Sequence, residues 1–511
     1  MKKVILLTVA VAMFIALPLG SVFAYEATTG PLGVLYWDST KSYNGYTLFS
    51  PMSACKTAYL MDMEGFIVHE WQCDYTPGLH DVLLENGNIL RGGAVDRAVT
   101  GCPIHFGGTS GIVQEIDWDG NVVWEYQNSD ADSTQHHTFH RLPNGNTFIL
   151  VWEYHSYEEA IAAGRTENLY GPEKPDQNGI WPDMVEEVNA AGQVVWKWHV
   201  WDHVGANDPA KFDINYALPL PIPAVGFQSY MGNADWTHFN TVGYLPADDL
   251  MIVNSRNIGE WYLIDHNTTT AEAAGPAGDI LYRWGNPSAY GQGARPSFVN
   301  DGVQELFGPH CALPIDADCP GYGNILVFDN GWQRPEGNRS RSVEVDPTTD
   351  PLLSQFVWAY QTNKPTSFYT AYQGACQRLP NGNTHITSTG EGHIFEVTYG
   401  DSTATPAVKP EIVWDFINPV FSGVPVCQFK DDTTTGRNMV HRSHRYGPDF
   451  PGLAGRDLSQ RWPFNPACPS GPALGYEPAA SVPITGWGIP PGTTSEAGGA
   501  GEAGEGGGGG Y

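Results

Sequence analysis

Short stretches in which apolar and polar residues alternate at every second position run along most of the chain, punctuated by tight-turn residues. A period of two marks a half-buried β-strand, because successive side chains leave opposite faces of the pleat. Three patterns recur in fixed order. The first is a turn, mostly of the Asn-Gly-x type, leading into a strand: Asn44-Gly45-Tyr46, Asn86-Gly87-Asn88, Asn144-Gly145-Asn146, Asp248-Asp249-Leu250, Gly323-Asn324-Ile325 and Asn381-Gly382-Asn383. Asn-Gly is a strong hairpin signal because it accepts positive φ at both central turn positions. The second is an alternating strand at 59–62, 113–117, 184–188, 261–265, 343–346 and 394–397, and the third an aromatic-capped strand at 66–71, 122–126, 194–198, 280–284, 356–360 and 412–416. A further apolar segment precedes most of the turns, as at 82–84, 139–142 and 241–245, so each unit has about four antiparallel strands.

A four-stranded unit repeated six times predicts an all-β fold, a six-bladed β-propeller with four-stranded antiparallel blades, because radial packing of the blades hides the sheet faces. We place it at residues 25–420. Insertions at 157–182, 204–232 and 289–308 break the period and are expected to be functional loops. The segment 421–490, which contains His441-Arg442-Ser443-His444-Arg445-Tyr446, is expected to pack on the propeller, and 491–511 reads as a disordered glycine-rich tail.

Composition narrows what such a propeller serves. With 41% hydrophobic and 16% charged residues the chain is too apolar to be disordered. Its 26 Lys+Arg against 56 Asp+Glu, a net charge of -30, repel a phosphate backbone and argue against a nucleic-acid partner. Met1, Lys2 and Lys3, an apolar run at 4–19 and the small-x-small Val22-Phe23-Ala24 read as a cleaved secretory signal over residues 1–24. The run is short for a bilayer span and ends in Pro18-Leu19-Gly20, so no stable membrane anchor is expected and the destination is the periplasm or the medium. In such an oxidising space, disulfides are expected among Cys55, Cys73, Cys102, Cys311, Cys319, Cys376, Cys427 and Cys468, with Cys311–Cys319 the preferred pair on proximity.

The starts of the inner strands of a propeller converge on one mouth of the central channel, so matching positions in separate units become neighbours. His80, His137, His238 and His310 stand at that register in the second to fifth units, and Gly374-Ala375 fills it in the sixth. Taken singly, each histidine is explained as a strand cap; four in register point to function. Asn240, two residues after His238, faces the same way. Arg256 ends the string Asn254-Ser255-Arg256, and Asp329-Asn330 follows an apolar strand. Arginine beside histidines at a channel mouth suggests an oxyanion with several oxygens.

These residues carry a resemblance. Asp235-Trp236-Thr237-His238-Phe239-Asn240, Val253-Asn254-Ser255-Arg256, His310-Cys311-Ala312-Leu313-Pro314 with I-L-V-F-D-N-G at 325–331, and His136-His137 before Leu142-Pro143-Asn144-Gly145-Asn146 resemble the bacterial arylsulfate sulfotransferase family over about residues 33–450. The resemblance implies a periplasmic six-bladed propeller that moves a sulfuryl group from a phenolic sulfate ester to an acceptor phenol, without the nucleotide sulfate donor and with no cofactor or metal. It makes His310 the nucleophile, transiently sulfated, with His238, Asn240 and Arg256 binding the sulfate. His137 is the best match to the remaining active-site histidine, with His136 and His140 close in register. Two departures stand out: the nucleophile lies in Gly308-Pro309-His310-Cys311 instead of the commoner Gln-His-Asp context, and the spacing from His310 to Pro314 is about two residues short.

The chemistry suits the residue types. Sulfuryl transfer, like phosphoryl transfer, has a loose transition state with charge on equatorial and departing oxygens, so catalysis is positioning plus electrostatics. A neutral histidine splits the transfer into two in-line steps, and a second histidine moves the phenol proton. No glycine-rich phosphate loop ending in Lys-Ser/Thr is present. Metal sets drawn from His136-His137-x-x-His140 or His441-x-x-His444 lack the partner spacing of a zinc motif. The alternative is a non-catalytic exported propeller acting as a binding or assembly scaffold, which has no need to keep His238, Asn240, Arg256 and His310 together.

Overall fold

The computed structural model describes residues 32–464 apart from 53–54, 105, 167–178, 217–233, 295–302, 354–355, 363–367, 401–407, 422–423 and 426–437. Residues 1–24, expected to be a secretory signal, and 491–511, expected to be a glycine-rich tail, lie outside the described residues. The Asn-Gly turns form as their chemistry dictates. Gly87, Gly145 and Gly382 take φ of 86, 88 and 89°, and the side chains of Asn86, Asn144 and Asn381 each accept the amide N–H two residues on.

Six antiparallel sheets of four or five strands stand around a channel as a six-bladed β-propeller, as the repeats predict. From the channel outward, blade two is Thr76–Leu83, Ile89–Ala94, Gly111–Ile116 and Val122–Gln127; blade three is Ser133–Arg141, Thr147–Glu153, Asp183–Val188 and Val194–His199. Blade four is Phe239–Leu245, Leu250–Ser255, Glu260–Asp265 and Ile280–Trp284, and blade five is His310–Pro314, Ile325–Asp329, Arg341–Val345 and Phe356–Tyr360. Blade six runs Ala375–Arg378, Thr384–Ser388, His393–Val397 and Ile412–Ile417, and the early strand Gly33–Trp37 pairs on its outer edge. Blade one is completed from the other end of the chain. Val440–Tyr446 is its inner strand, followed by Tyr46–Pro51, Thr57–Met61 and Phe66–Gln72. The segment expected to pack on the propeller therefore contributes a strand to it, and the ring is closed at two places.

The repeated motifs hold blade to blade. The tryptophans that cap outer strands donate their indole N–H to a carbonyl of the next blade: Trp71 to Asp117 at 3.0 Å, Trp198 to Gly278 at 2.8 Å, Trp358 to Tyr399 at 2.8 Å and Trp414 to Met63 at 2.9 Å. A glutamate on the third strand of a blade collects the turn asparagines of its own blade and a cation from the next inner strand. Glu115 takes Asn86, Asn88 and Arg141; Glu344 takes Asn324 and Arg378; Glu396 takes Asn383 and Arg445. Breaking a buried pair leaves an uncompensated charge. Replacing Arg378, whose Nη2 lies 2.7 Å from Glu344 with both side chains buried, by Met is expected to cost about 3–5 kcal/mol, read as a lowered denaturant midpoint at unchanged slope. A cost below about 1 kcal/mol would show the clasp to be solvated.

The expected Cys311–Cys319 disulfide is not formed; Cys55, Cys73, Cys102, Cys311, Cys319 and Cys376 are buried free thiols. Cys311 is the second residue of a strand that ends at Pro314, and Cys319 lies beyond the strand's far end, so chain proximity is undone by extension at about 3.3 Å per residue. The two thiols donate instead to the carbonyls of Cys376 and Arg378. Cys427 and Cys468 lie outside the described residues. Among the described residues no helix is long and apolar enough to cross a membrane.

Candidate active site at the channel mouth

Within or just before five inner strands one non-glycine residue is left-handed: Leu79 (φ 83°), His137 (48°), His238 (46°), Cys311 (54°) and Gln373 (60°). In four of these strands the ladder to the second strand slips register at the same place. Such conformations cost about 1–3 kcal/mol each and persist only where the surroundings impose them. A bulge of this kind re-aims side chains.

His310 is 1% exposed. Its Nδ1 lies 2.6 Å from Asn330 Oδ1 and 3.1 Å from the Gly308 carbonyl. Asn330 has no freedom to flip, because its Nδ2 donates to the carbonyls of Thr370 and Gln373 at 2.8 and 2.7 Å. Both neighbours of Nδ1 are thus acceptors, and the ring proton must sit there. Nε2 keeps its lone pair and receives only the Gln373 N–H at 3.1 Å. Burial, and next the Arg256 guanidinium, hold this imidazole well below the ordinary histidine range, so it is neutral at physiological pH.

His238 donates from Nδ1 to Asp235 at 2.6 Å, a pairing that directs its Nε2 edge away from the carboxylate. The His137 ring stands 4.9 Å from that of His238. Behind it, His136 Nδ1 meets His137 Nδ1 at 2.8 Å and His136 Nε2 lies 3.0 Å from Asp183, with the ring stacked on Trp152 at 3.7 Å. Burial raises the Asp183 carboxyl to about 8. Of the three neighbouring candidates, His137 faces the group, His136 backs it, and His140 is a half-buried residue held down to about 4 by desolvation.

Arg256 is buried over the Trp332 ring at 4.9 Å and donates to Asn257; no carboxylate ion pair holds it among the described residues. Asn240 Nδ2 and Asn254 Nδ2 both grip the Pro309 carbonyl at 2.8 Å, while Asn240 Oδ1 accepts from Asn254 and Thr241. Asn240 thereby tethers the loop that carries His310 to blade four.

His137, His238, Asn240, Arg256 and His310 come together at one mouth. His80 does not join them: its ring packs on Phe139 and His444, at 4.8 and 5.4 Å, further down the channel. Two residues that no motif marked also reach this group: His441, whose ring is 6.5 Å from that of His137, and Arg442, which donates to the Asn240 carbonyl and Thr241 Oγ1 at 3.1 and 2.7 Å. A signal existed: the first unit lacked an inner strand, and His441 stands where that strand's histidine belongs.

The channel mouth thus gathers several imidazoles and an arginine that has no carboxylate ion pair among the described residues. The profile of the arylsulfotransferase (ASST) family matches residues 52–413, and the chain belongs to that family. Arylsulfate sulfotransferase AssT of Lelliottia amnigena is 23% identical over 252 residues, 42% of this chain and 40% of that protein, so the match spans less than half of the relative. Among solved structures, a protein of unknown function from Bacteroides caccae aligns over 73% of this chain and 94% of its own at 13% identity and TM-score 0.40. Hydrazine synthase of Kuenenia stuttgartiensis aligns over 74% and 80% at 9% identity and TM-score 0.34. At those scores the structural likenesses carry no inference about this chain.

Proposed function

We propose that the protein is an exported arylsulfate sulfotransferase that carries a sulfuryl group from a phenolic sulfate ester to an acceptor phenol by way of a sulfated His310. The observation that supports it most is the pinned tautomer, an imidazole whose Nδ1–H is held by Asn330 and Gly308 and whose Nε2 is a free base beside Arg256. In the first step Nε2 gives up the Gln373 N–H contact and attacks sulfur, and the S–O bond to the aryl group breaks. Positive charge grows on the ring, and the Asn330 oxygen stabilises it through Nδ1–H. The departing phenolate takes a proton from His238, whose ring is oriented by the Nδ1 contact to Asp235. In the second step His238 removes the acceptor's proton, the phenol oxygen attacks sulfur, the N–S bond breaks and His310 returns to its neutral form. Arg256 faces the sulfuryl oxygens, where one donor is worth about 3–4 kcal/mol in the transition state. The donor ester replaces any nucleotide donor, and no cofactor takes part.

The test is transfer from 4-nitrophenyl sulfate to phenol by the purified protein with no nucleotide added, followed by an alkaline quench and mapping of the sulfated peptide. Sulfate on the peptide bearing His310 supports the route; failure to release nitrophenol across a panel of phenols removes it. Asn330→Ala is expected to lower kcat/KM for the same transfer about 10²-fold, because the ring is then free to place its proton on Nε2. An unchanged rate would mean that the tautomer is set elsewhere.

A further inference from the structure

Arg442 is 2% exposed and His441 1%, and neither is accounted for by the mouth chemistry. The ladder between Val440–Tyr446 and Tyr46–Pro51 slips at this point, with Phe49 opposite Ser443 and Pro51 opposite Val440, so two residues of the inner strand face one of its neighbour. A bulge of that kind brings consecutive side chains toward one side. Arg442 Nη2 is bound from above by the Asn240 carbonyl and Thr241 Oγ1, yet its Nε–H is buried with no partner, and both ring nitrogens of His441 are buried with none. Among the described residues Arg442 makes no ion pair, and the Cys376 thiol nearby is kept neutral by burial and brings no counter-charge. Among the described acids, Asp235 is committed to His238, Asp183 to Thr237 and Phe239, and Glu396 to Arg445, while burial raises Asp81 to about 7. A guanidinium taken out of water with no counter-charge costs several kcal/mol, and an anion offsets that cost where a neutral water does not.

We propose that a small inorganic monoanion of chloride size binds in the channel beneath the His137–His238–His310 group, held by Arg442 and His441. The charge of the occupant follows from the lining. Arg442 supplies one positive charge, while burial and Arg442 itself keep His80 and His441 well below the ordinary histidine range and His444 down to about 3, so the rings offer neutral N–H donors. The size follows from the walls, which are inner strands that pack directly on one another. The site stands apart from sulfuryl transfer and needs no turnover to be seen.

The experiment compares thermal unfolding of the full-length protein in rising sodium chloride with sodium gluconate at equal ionic strength. Wild type is expected to gain about 2–4 °C saturably in chloride over gluconate, since a ligand bound only to the folded state stabilises it by mass action. Arg442→Met should lose the gain and Arg256→Gln should keep it. No chloride-specific gain in wild type, or an equal gain in Arg442→Met, overturns the proposal, as does a gain lost in Arg256→Gln alone, which puts the ion at the mouth. Should Arg442→Met fail to fold, bromide-soaked crystals of wild type decide: an anomalous peak beside Arg442 Nε supports the site, and its absence there refutes it.

Discussion

Replacing His310 by alanine is expected to lower sulfuryl transfer from 4-nitrophenyl sulfate to phenol by at least about 10³-fold with the fold retained. The size of the effect follows from the division of labour at the mouth. Arg256 and the Asn240–Asn254 grip on the Pro309 carbonyl survive the substitution, so ester binding and orientation are kept. What disappears is the proposed covalent relay, and donor and acceptor must then meet at sulfur in a single displacement. KM for the donor should therefore move far less than kcat. Mass mapping after an alkaline quench gives an independent reading: the variant should carry no sulfuryl group. Transfer that persists, or a sulfuryl group found on His137 or His238, keeps the reaction class and refutes His310 as nucleophile.

A steep loss of stability on mild acidification is the second large effect. His80, His136, His137, His310, His385 and His441 are held well below the ordinary histidine range mainly by burial, and His140 and His444 are held to about 4 and about 3. The unfolded chain protonates these rings near pH 6.5 while the folded protein does not, so their contribution is complete above about 6.5 and is lost as pH falls. Each adds a slope of up to about 1.4 kcal/mol per pH unit, so the group approaches on the order of 10 kcal/mol per unit, comparable with the whole stability of a domain. Buried acids oppose it. Burial raises Asp81 to about 7 and Asp183 to about 8, so they bind protons in the fold that the unfolded chain releases above about 4, and Glu260, Asp316, Glu391 and Glu396 are raised in the same sense. His69, held to about 4, and His203 add to the lowered histidines, which stay in control. The denaturant midpoint should collapse within about one unit below pH 6, whereas a flat profile from pH 7.5 to 5 would mean that the rings are hydrated and charged in the native channel.

The folded ring also shows which parts of the site were readable in one dimension. The stretch 235–240 and the string 253–256 lie on adjacent strands of one hairpin, and the histidine register counts from turn to turn, so His238, Asn240, Arg256 and His310 were legible. Asn330 was noticed as the residue after an apolar strand, but its grip on Nδ1 rests on the Thr370 and Gln373 carbonyls, which reach it across a blade boundary. Asn240 was assigned to the sulfate, yet its amide is spent largely on Pro309 and Asn254. Asp183 behind His136 carries no motif, because its role depends on Thr237 Oγ1 and the Phe239 N–H holding the carboxyl from the neighbouring blade. The preferred disulfide failed for the converse reason: nearness along the chain says little when a strand stands between two cysteines.

By itself the sequence determined the strands, the turns and the number of blades, since alternation and Asn-Gly chemistry act over two to four residues and need no distant partner. It also placed histidines at a common register, which a repeat converts into a ring. Only the tertiary structure decided how that ring closes and what stands inside it. The inner strand of blade one comes from 440–446 and pairs with 46–51, almost 400 positions away, and with it arrive His441 and Arg442. Side-chain protonation was decided there too, because desolvation and the order of hydrogen bonds around Asn330, Asp235 and Asp183 exist only once six blades have shut water out of the channel.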